Sequence, residues 1–556
     1  MSVAEQIENG RKLAGYPAQL SELPYSNIGD LLRMAVAKYA DKPVLSSLGR
    51  TLTYAELDRL SAQFAAYLQQ HTDLEPGDRI AIQMPNLIQY PVAFFGAIRA
   101  GLVVVNTNPL YTAREMEHQF NDSGAKALVI LANMAATAQT VLPRTGIRHV
   151  IITELADLHP PLKRLLVNAA AKYIKKLVPP YRIAGALTFT RALALGAGRS
   201  HREANQSLDE LAVLQYTGGT TGVSKGAMLS HRNVVANVAQ AGVLFESVDF
   251  IDGAETLLLP LPLYHIYAFN SCMCMMSRGG HVVLIPNPRD LNSVVDGFEQ
   301  YNITCFAGLN TLFVALCNNP RFRELDFSRL KSTTSGGMAL TQDAAKRWHE
   351  VTGVEITEGY GLSETSPVVS VNPATANRIG TIGCPVPSTE IRLLDNEGNE
   401  VAVGEAGELC VRGPQVMMGY WQRDDETAKV MTEDGFFMTG DIAIVTDEGY
   451  LKIVDRKKDM IVVSGFNVYP NEIEDVVVSH PDVIECAAVG VPDARTGEAV
   501  KVFVVSSNPA LSEADLQAWC RETLTGYKVP KQFVFRDDLP KSNVGKILRR
   551  ELRDQN

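Results

Sequence analysis

The sequence predicts an α/β protein with a large layered N-terminal part followed by a small domain. Strand-like and helix-like segments alternate between Arg79 and Thr153, the pattern of a layered domain with a largely parallel sheet. The chain has 556 residues, more than one ordinary core supports. The charged run Asp455-Arg456-Lys457-Lys458-Asp459 reads as a connector. Beyond it, roughly 100 residues alternate strand and helix again, enough for a small domain.

Thr53-Tyr54-Ala55-Glu56 is a capping box that opens a helix through Gln70, with Leu57, Leu60, Phe64 and Leu68 on one face. A strand at 79–83, a helix at 87–99 ended by Gly101, and a strand at 102–106 follow. A helix at 112–121 and strands at 127–131 and 149–153 continue the alternation. Ser230 is placed to cap a helix that starts at His231.

Composition narrows the function. Hydrophobic residues make up 46% of the chain, as in a well-buried globular protein. A net charge of −10 argues against general nucleic-acid binding. The eight cysteines lack paired spacing, and Cys272 and Cys274 have no second pair or histidine partner, so no zinc site is expected. Reduced thiols in a cytoplasmic protein are the simple reading. Met1–Leu20 lacks the pattern of a signal peptide, and no run of ~18 apolar residues predicts a membrane span.

One segment departs from the acidic background. His159–Arg202 carries nine basic residues and no Asp or Glu. Leu162, Leu165, Leu166, Ala169, Tyr173, Ile174 and Leu177 recur there at helical spacing, with lysines mostly opposite. Such a segment is either a surface helix docked by its apolar face or a reversible contact with anionic lipid.

The richest chemistry lies in Tyr216-Thr217-Gly218-Gly219-Thr220-Thr221-Gly222-Val223-Ser224-Lys225-Gly226, after the buried strand 211–215. Glycines let backbone N–H groups converge on an anion, hydroxyls donate to phosphate oxygens, and Lys225 adds a positive charge. The Walker spacing is absent, because Lys225 is followed by Gly226. Kinase and GTPase readings therefore lose ground. Further strand ends rich in small residues occur at Ala307-Gly308-Leu309, at Ser335-Gly336-Gly337 and at Glu358-Gly359-Tyr360-Gly361. They point to one pocket mouth, in which Tyr360 offers a stacking face and Glu364 a carboxylate for Mg²⁺. Asp441, read as following a tight turn, suits ribose hydroxyls. His265 lacks an acidic partner in sequence and reads as a packing or pocket-lining residue.

Together these motifs resemble the adenylate-forming enzymes, the superfamily of acyl-CoA synthetases, luciferases and peptide-synthetase adenylation domains. The likeness runs in order from about Ser47 to Arg553. Pro262-Leu263-Tyr264-His265, Ser464–Pro470 and Lys541–Arg550 read most like bacterial long-chain fatty-acyl-CoA synthetases. The resemblance implies a multi-layer N-terminal domain with mixed sheets, residues 1–457, that binds ATP and the acyl group. It also implies a small mobile α+β domain, 458–556, with its hinge at Lys458.

The implied reaction makes fatty acyl-CoA from a long-chain fatty acid, ATP and CoA through an acyl-adenylate, releasing AMP and pyrophosphate. A medium-chain or aryl acid, or a carrier protein as acceptor, remains an alternative. Lys546, Thr217 and Glu364 form the implied catalytic set, with Glu364 and Thr217 on Mg²⁺. ATP would be held by 216–222, Lys225, Gly336, Gly337, Glu358, Gly359, Tyr360, Gly361, Ser363, Asp441 and Arg456. Phe269, Ala307, Gly308, Leu309, Ser464 and Gly465 would line the acyl and CoA tunnels. Partner expectations are fatty acid, ATP and CoA, no nucleic acid, a homodimer, and peripheral contact with the cytoplasmic face of an anionic inner membrane through 159–202.

Overall fold

Continuous β-branched and aliphatic runs, such as Val103-Val104-Val105 and Ala127-Leu128-Val129-Ile130, form strands buried on both faces, as strands covered by helices on each side must be. The computed structural model describes residues 2–217, 224–541 and 547–553. Two compact units divide the chain. One comprises Arg11–Glu390 and Arg412–Gly435, the other Met1–Gly10, Ile391–Val411 and Phe436–Asn556.

Two mixed sheets build the larger unit. The first runs Leu187–Thr188, His149–Thr153, Ala125–Leu131, Arg79–Gln83, Val103–Asn106, Leu211–Thr217 and Lys225–Ser230. All neighbours in it are parallel except the last pair. The second runs Cys384–Pro385, Val368–Val371, Ile356–Gly361, Ser332–Ser335, Cys305–Gly308, Thr256–Leu259, His281–Leu284, Pro43–Ser47 and Arg50–Thr53. Its central strands are parallel.

The two expected caps form: Thr53 and Glu56 close a capping box on helix Tyr54–His71, and Ser230 caps His231–Ala241; Thr112 and Glu115 close a further capping box on Ala113–Ser123. An aromatic core of Phe306, Phe313, Phe322 and Trp348 packs beneath strand Cys305–Gly308, with Trp348 stacked on Phe306 at 5.4 Å.

Buried amides join the two sheets at the carboxyl ends of their strands. Asn86 Nδ2 donates to Leu259 O (3.1 Å) and Leu261 O (2.7 Å), and its Oδ1 accepts from Leu263 N at 2.8 Å. Gln215 Nε2 donates to Tyr264 O at 2.9 Å, while its Oε1 accepts from Asn106 Nδ2 at 2.9 Å. Asn106 Oδ1 in turn accepts from the Tyr90 hydroxyl.

The smaller unit holds an antiparallel sheet of Glu390–Leu394, Gly407–Arg412, Phe437–Val445 and Leu451–Arg456. A second sheet pairs Phe466–Val468, Ile461–Val463, Gly497–Ser506 and Val483–Asp493, with Gln532–Phe535 on the far side of 497–506. Two sequence readings change here. Asp441 lies inside strand Phe437–Val445 rather than after a turn, next to Gly440 (φ +73°) and an irregular register. The charged run is not a solvated connector throughout. Asp455 and Arg456 complete a strand, and Asp455 and Asp459 are buried. Arg549 pairs with both carboxylates and Arg553 with Asp459, so partners about 90 residues away draw these charges inward.

Replacing Asn86 by Ala leaves two buried carbonyls and one N–H without their side-chain partner. Asn86→Ala is expected to cost about 2–4 kcal/mol in denaturant unfolding of the larger unit. A loss near zero would show that the amide is not a structural tie.

Candidate active site

The strand leading into the glycine-rich loop and the strand leaving it form an antiparallel pair that ends at Thr217 opposite Lys225. The loop thus connects two strands, whereas a Walker loop feeds a helix. Gly218, Gly219, Thr220, Thr221 and Gly222 lie outside the described residues, as does Lys546. Tyr216 lays its ring over Gly226, where an added Cβ would sit 3.1 Å from the ring, and its hydroxyl donates to Asp122 at 2.7 Å. Thr217 Oγ1 lies 3.5 Å from Lys225 O.

Beside this pair, three strand ends align. Gly308 pairs with Ser335, and Ser335 with Glu358, in parallel register. The small residues after them, Gly336-Gly337 and Gly359-Tyr360-Gly361, therefore emerge side by side at the carboxyl edge of one sheet, where ligands bind in such folds. The Tyr267 ring covers Gly336, and its hydroxyl shares a 3.0 Å hydrogen bond with Thr334. Ala307 and Gly308 are buried and Leu309 is half-buried. The Phe313 ring fills the space a side chain at 308 would need. Phe269 is fully buried, edge-on to Phe94 at 5.0 Å.

His265 caps helix Ile266–Ser277, accepting from Tyr267 N at 3.4 Å, and burial lowers it to about 4. It is neutral at physiological pH, in keeping with a packing role. Glu358 is buried and accepts from Leu340 N at 3.2 Å. Desolvation outweighs that bond and pushes its carboxyl up to about 7.

Ser363–Thr365 forms a turn packed against both strands that flank the loop, which places Glu364 beside those strands. The Glu364 carboxylate is buried and accepts from the Tyr420 hydroxyl at 2.8 Å. Burial and the neighbouring Glu364 keep the Tyr420 phenol protonated, well above its ordinary range. Lys225 Nζ stands 5.1 Å from the centre of the same tyrosine ring and pairs with Glu426. Lys225 then holds the Glu426 carboxyl down to about 2. Tyr420 reaches this place because its segment pairs with the exit strand. Trp421 N donates to Gly226 O at 2.8 Å, and Met228 N donates to Gly419 O at 2.9 Å.

Tyr420, Glu426 and Asp122 escaped the sequence reading. Lys225 and Glu426 are 201 positions apart, and no local spacing marks the pair. In the smaller unit, Asp441 and Arg456 are cross-strand neighbours with Nε to Oδ1 at 3.3 Å. Ser464 (φ +52°) and Gly465 (φ +85°) form an exposed turn, and an added Cβ at 465 would meet nothing within 4 Å. Lys458 is exposed in the turn before strand Ile461–Val463.

The basic segment forms a helix, Pro161–Ala169, continued by a π turn, Ala170–Ile174. It does not dock by its large apolar residues. Leu162, Tyr173 and Ile174 are 71%, 71% and 79% exposed, and Leu165 and Leu166 are exposed as well. Small and polar residues hold it instead. Ala171 is buried, and Asn168 accepts from Ala156 N and donates to Glu154, at 2.9 and 3.0 Å. Among the described residues, no helix is long and apolar enough to cross a membrane.

Residues 32–421 match the AMP-binding enzyme family and residues 472–546 the AMP-binding enzyme C-terminal domain. The chain belongs to the AMP-binding enzyme family. It is 52% identical to a long-chain-fatty-acid–CoA ligase of Escherichia coli O157:H7 over 544 residues, 98% of this chain and 97% of the relative. It is 36% identical to a feruloyl-CoA synthase of Amycolatopsis sp., covering 91% and 94% of the two chains. The crystal structure of ATP-bound MatB from Rhodopseudomonas palustris superposes with a TM-score of 0.79 at 29% identity, covering 95% of this chain and 99% of that one.

The raised carboxyl of Glu358 has a consequence for stability. Between the ordinary carboxyl range and about pH 7, the folded state keeps a proton that the unfolded chain releases. This contribution is complete below that window and is lost as pH rises through about 7. The stability of the native chain relative to Glu358→Gln should therefore fall across the window in denaturant unfolding. A pH-independent difference would place the Glu358 carboxyl in the ordinary range.

Proposed function

We propose that this protein is an AMP-forming ligase that activates long-chain fatty acids as their CoA thioesters. One observation carries the nucleotide half: a phosphate-loop ammonium, Lys225, and a buried carboxylate, Glu364, share one tyrosine. The whole-length likeness to a long-chain ligase supports the acyl half.

A carboxylate is a poor electrophile, so its oxygen first attacks the α-phosphate of ATP and pyrophosphate leaves. Lys225 balances charge on the departing phosphates. Lys546 would neutralise charge where the fatty carboxylate and the α-phosphate, two anions, must meet. Glu364, with Thr217 as a second contact, would hold Mg²⁺, and the bound ion would supply neutralisation of phosphate charge. The residues fit that role. Glu364 is a buried oxygen donor, the kind of ligand a hard cation takes. Gly336, Gly337 and Glu358–Gly361, with Ser363, line the adenine side, and Asp441 with Arg456 takes the ribose.

The CoA thiol then attacks the acyl-adenylate, a step that Lys546 would obstruct. The small domain, 458–556, turns about Lys458, withdraws Lys546 and presents Ser464-Gly465 to pantetheine. ATP–pyrophosphate exchange over a series of acids tests the substrate, and a stronger response to aryl than to long-chain acids would overturn it. Lys546→Ala should abolish adenylate formation yet spare thioester formation from supplied acyl-adenylate, and Gly465→Leu should do the reverse. Equal loss of both half-reactions in each variant would exclude the two-state scheme.

The second partner is an anionic membrane, met through residues 161–177. Exposed leucines beside Lys163, Arg164, Lys172, Lys175 and Lys176 suit lipid tails and headgroups together. The triple change of Lys172, Lys175 and Lys176 to Glu should weaken flotation with phosphatidylglycerol-containing vesicles by at least about tenfold, at about 1 kcal/mol per removed charge. Unchanged flotation would exclude this surface.

A further inference from the structure

Lys225 is held by a carboxylate that the reaction scheme does not use. Glu426 sits on the short helical turn Asp424–Ala428. Thr427 Oγ1 accepts from Tyr420 N and donates to Arg423 O, both at 2.9 Å, which fixes that turn to the segment paired with the loop's exit strand. Ala227 and Tyr420 form an antiparallel bridge. The carboxylate and the ammonium therefore ride on one rigid framework, and only their long side chains can separate. Both are about one-third exposed, at 32% for Lys225 and 27% for Glu426. The pair is thus open to solvent, and to an incoming anion. Lys429 also contacts Glu426, Nζ to Oε1 at 2.6 Å, so the carboxylate keeps a partner when Lys225 leaves.

We propose that Glu426 is a positioning residue for Lys225: it holds the ammonium when no polyphosphate is bound, yields it to the triphosphate of ATP, and reclaims it as pyrophosphate departs. The proposal rests on the nucleotide reading of the site. In it Glu426 is an internal competitor for the phosphate oxygens. Competition weakens ATP binding somewhat and speeds the release of a product that would otherwise linger on a charged loop. The ion pair is mutual: the same contact that fixes Lys225 lowers the Glu426 carboxyl further below its ordinary value, with Lys429 adding to it.

Glu426→Gln in the full-length protein removes the competing charge and keeps the shape. Calorimetric titration with magnesium pyrophosphate should show about three- to fivefold tighter binding, the range expected for releasing a partly exposed ion pair. The KM for ATP should fall by a similar factor while kcat does not rise. Glu426→Asp should behave more like the native protein. In a Lys225→Met background the Glu426→Gln effect should vanish. Unchanged or weaker pyrophosphate binding in Glu426→Gln, with Lys225→Met still impairing it, would overturn the proposal alone. Native pyrophosphate binding by Lys225→Met would overturn the nucleotide reading itself, and the proposal with it.

Discussion

The buried amides of Asn86, Asn106 and Gln215 tie two sheets to one turn, and the larger unit's site depends on that tie. Each sheet would be stable as a layer of apolar strands covered by helices. Nothing in apolar packing alone sets where the carboxyl edge of one lies against the other, because hydrophobic burial has no direction. Hydrogen bonds do. Asn86 binds two carbonyls and an N–H of the 259–263 turn, and Gln215, in the strand that enters the glycine-rich loop, binds Tyr264 O. The loop's entry strand and the strand ends at 308, 335 and 358 are thereby held in one frame.

On that frame the charged groups have little freedom. Glu364 is a buried carboxylate and needs a donor, which Tyr420 supplies. The Tyr420 ring gives Lys225 an electron-rich face, and Glu426 gives it a charge. A buried carboxylate and an ammonium are thus held on one aromatic side chain instead of pairing with one another.

The smaller unit solves a different problem. Its buried acids Asp455 and Asp459, together with the half-buried Glu474, converge on Arg549, with Arg553 beside Asp459. Removing any one partner would leave a charge buried, so the end of the chain is bound to strand Leu451–Arg456. In sequence these residues read as a solvated charge run, since local composition carries no record of a partner that arrives a hundred residues later.

Periodicity and motif spacing by themselves determined the α/β class, the helix starts at Thr53, Thr112 and Ser230, the strands at 79–83 and 149–153, and the family. These features are local: a capping box, an alternation or a glycine-rich loop is complete within a dozen residues, so the chain states them directly. The convergence of Gly308, Ser335 and Glu358 was also legible as an expectation, because parallel sheets gather strand ends. The tertiary structure alone decided which face of the basic helix is buried, where Asp441 sits in its strand, and that Tyr420 and Glu426 belong with Lys225. Those outcomes rest on contacts between residues far apart in sequence, chosen by burial and charge pairing after the strands have found their neighbours.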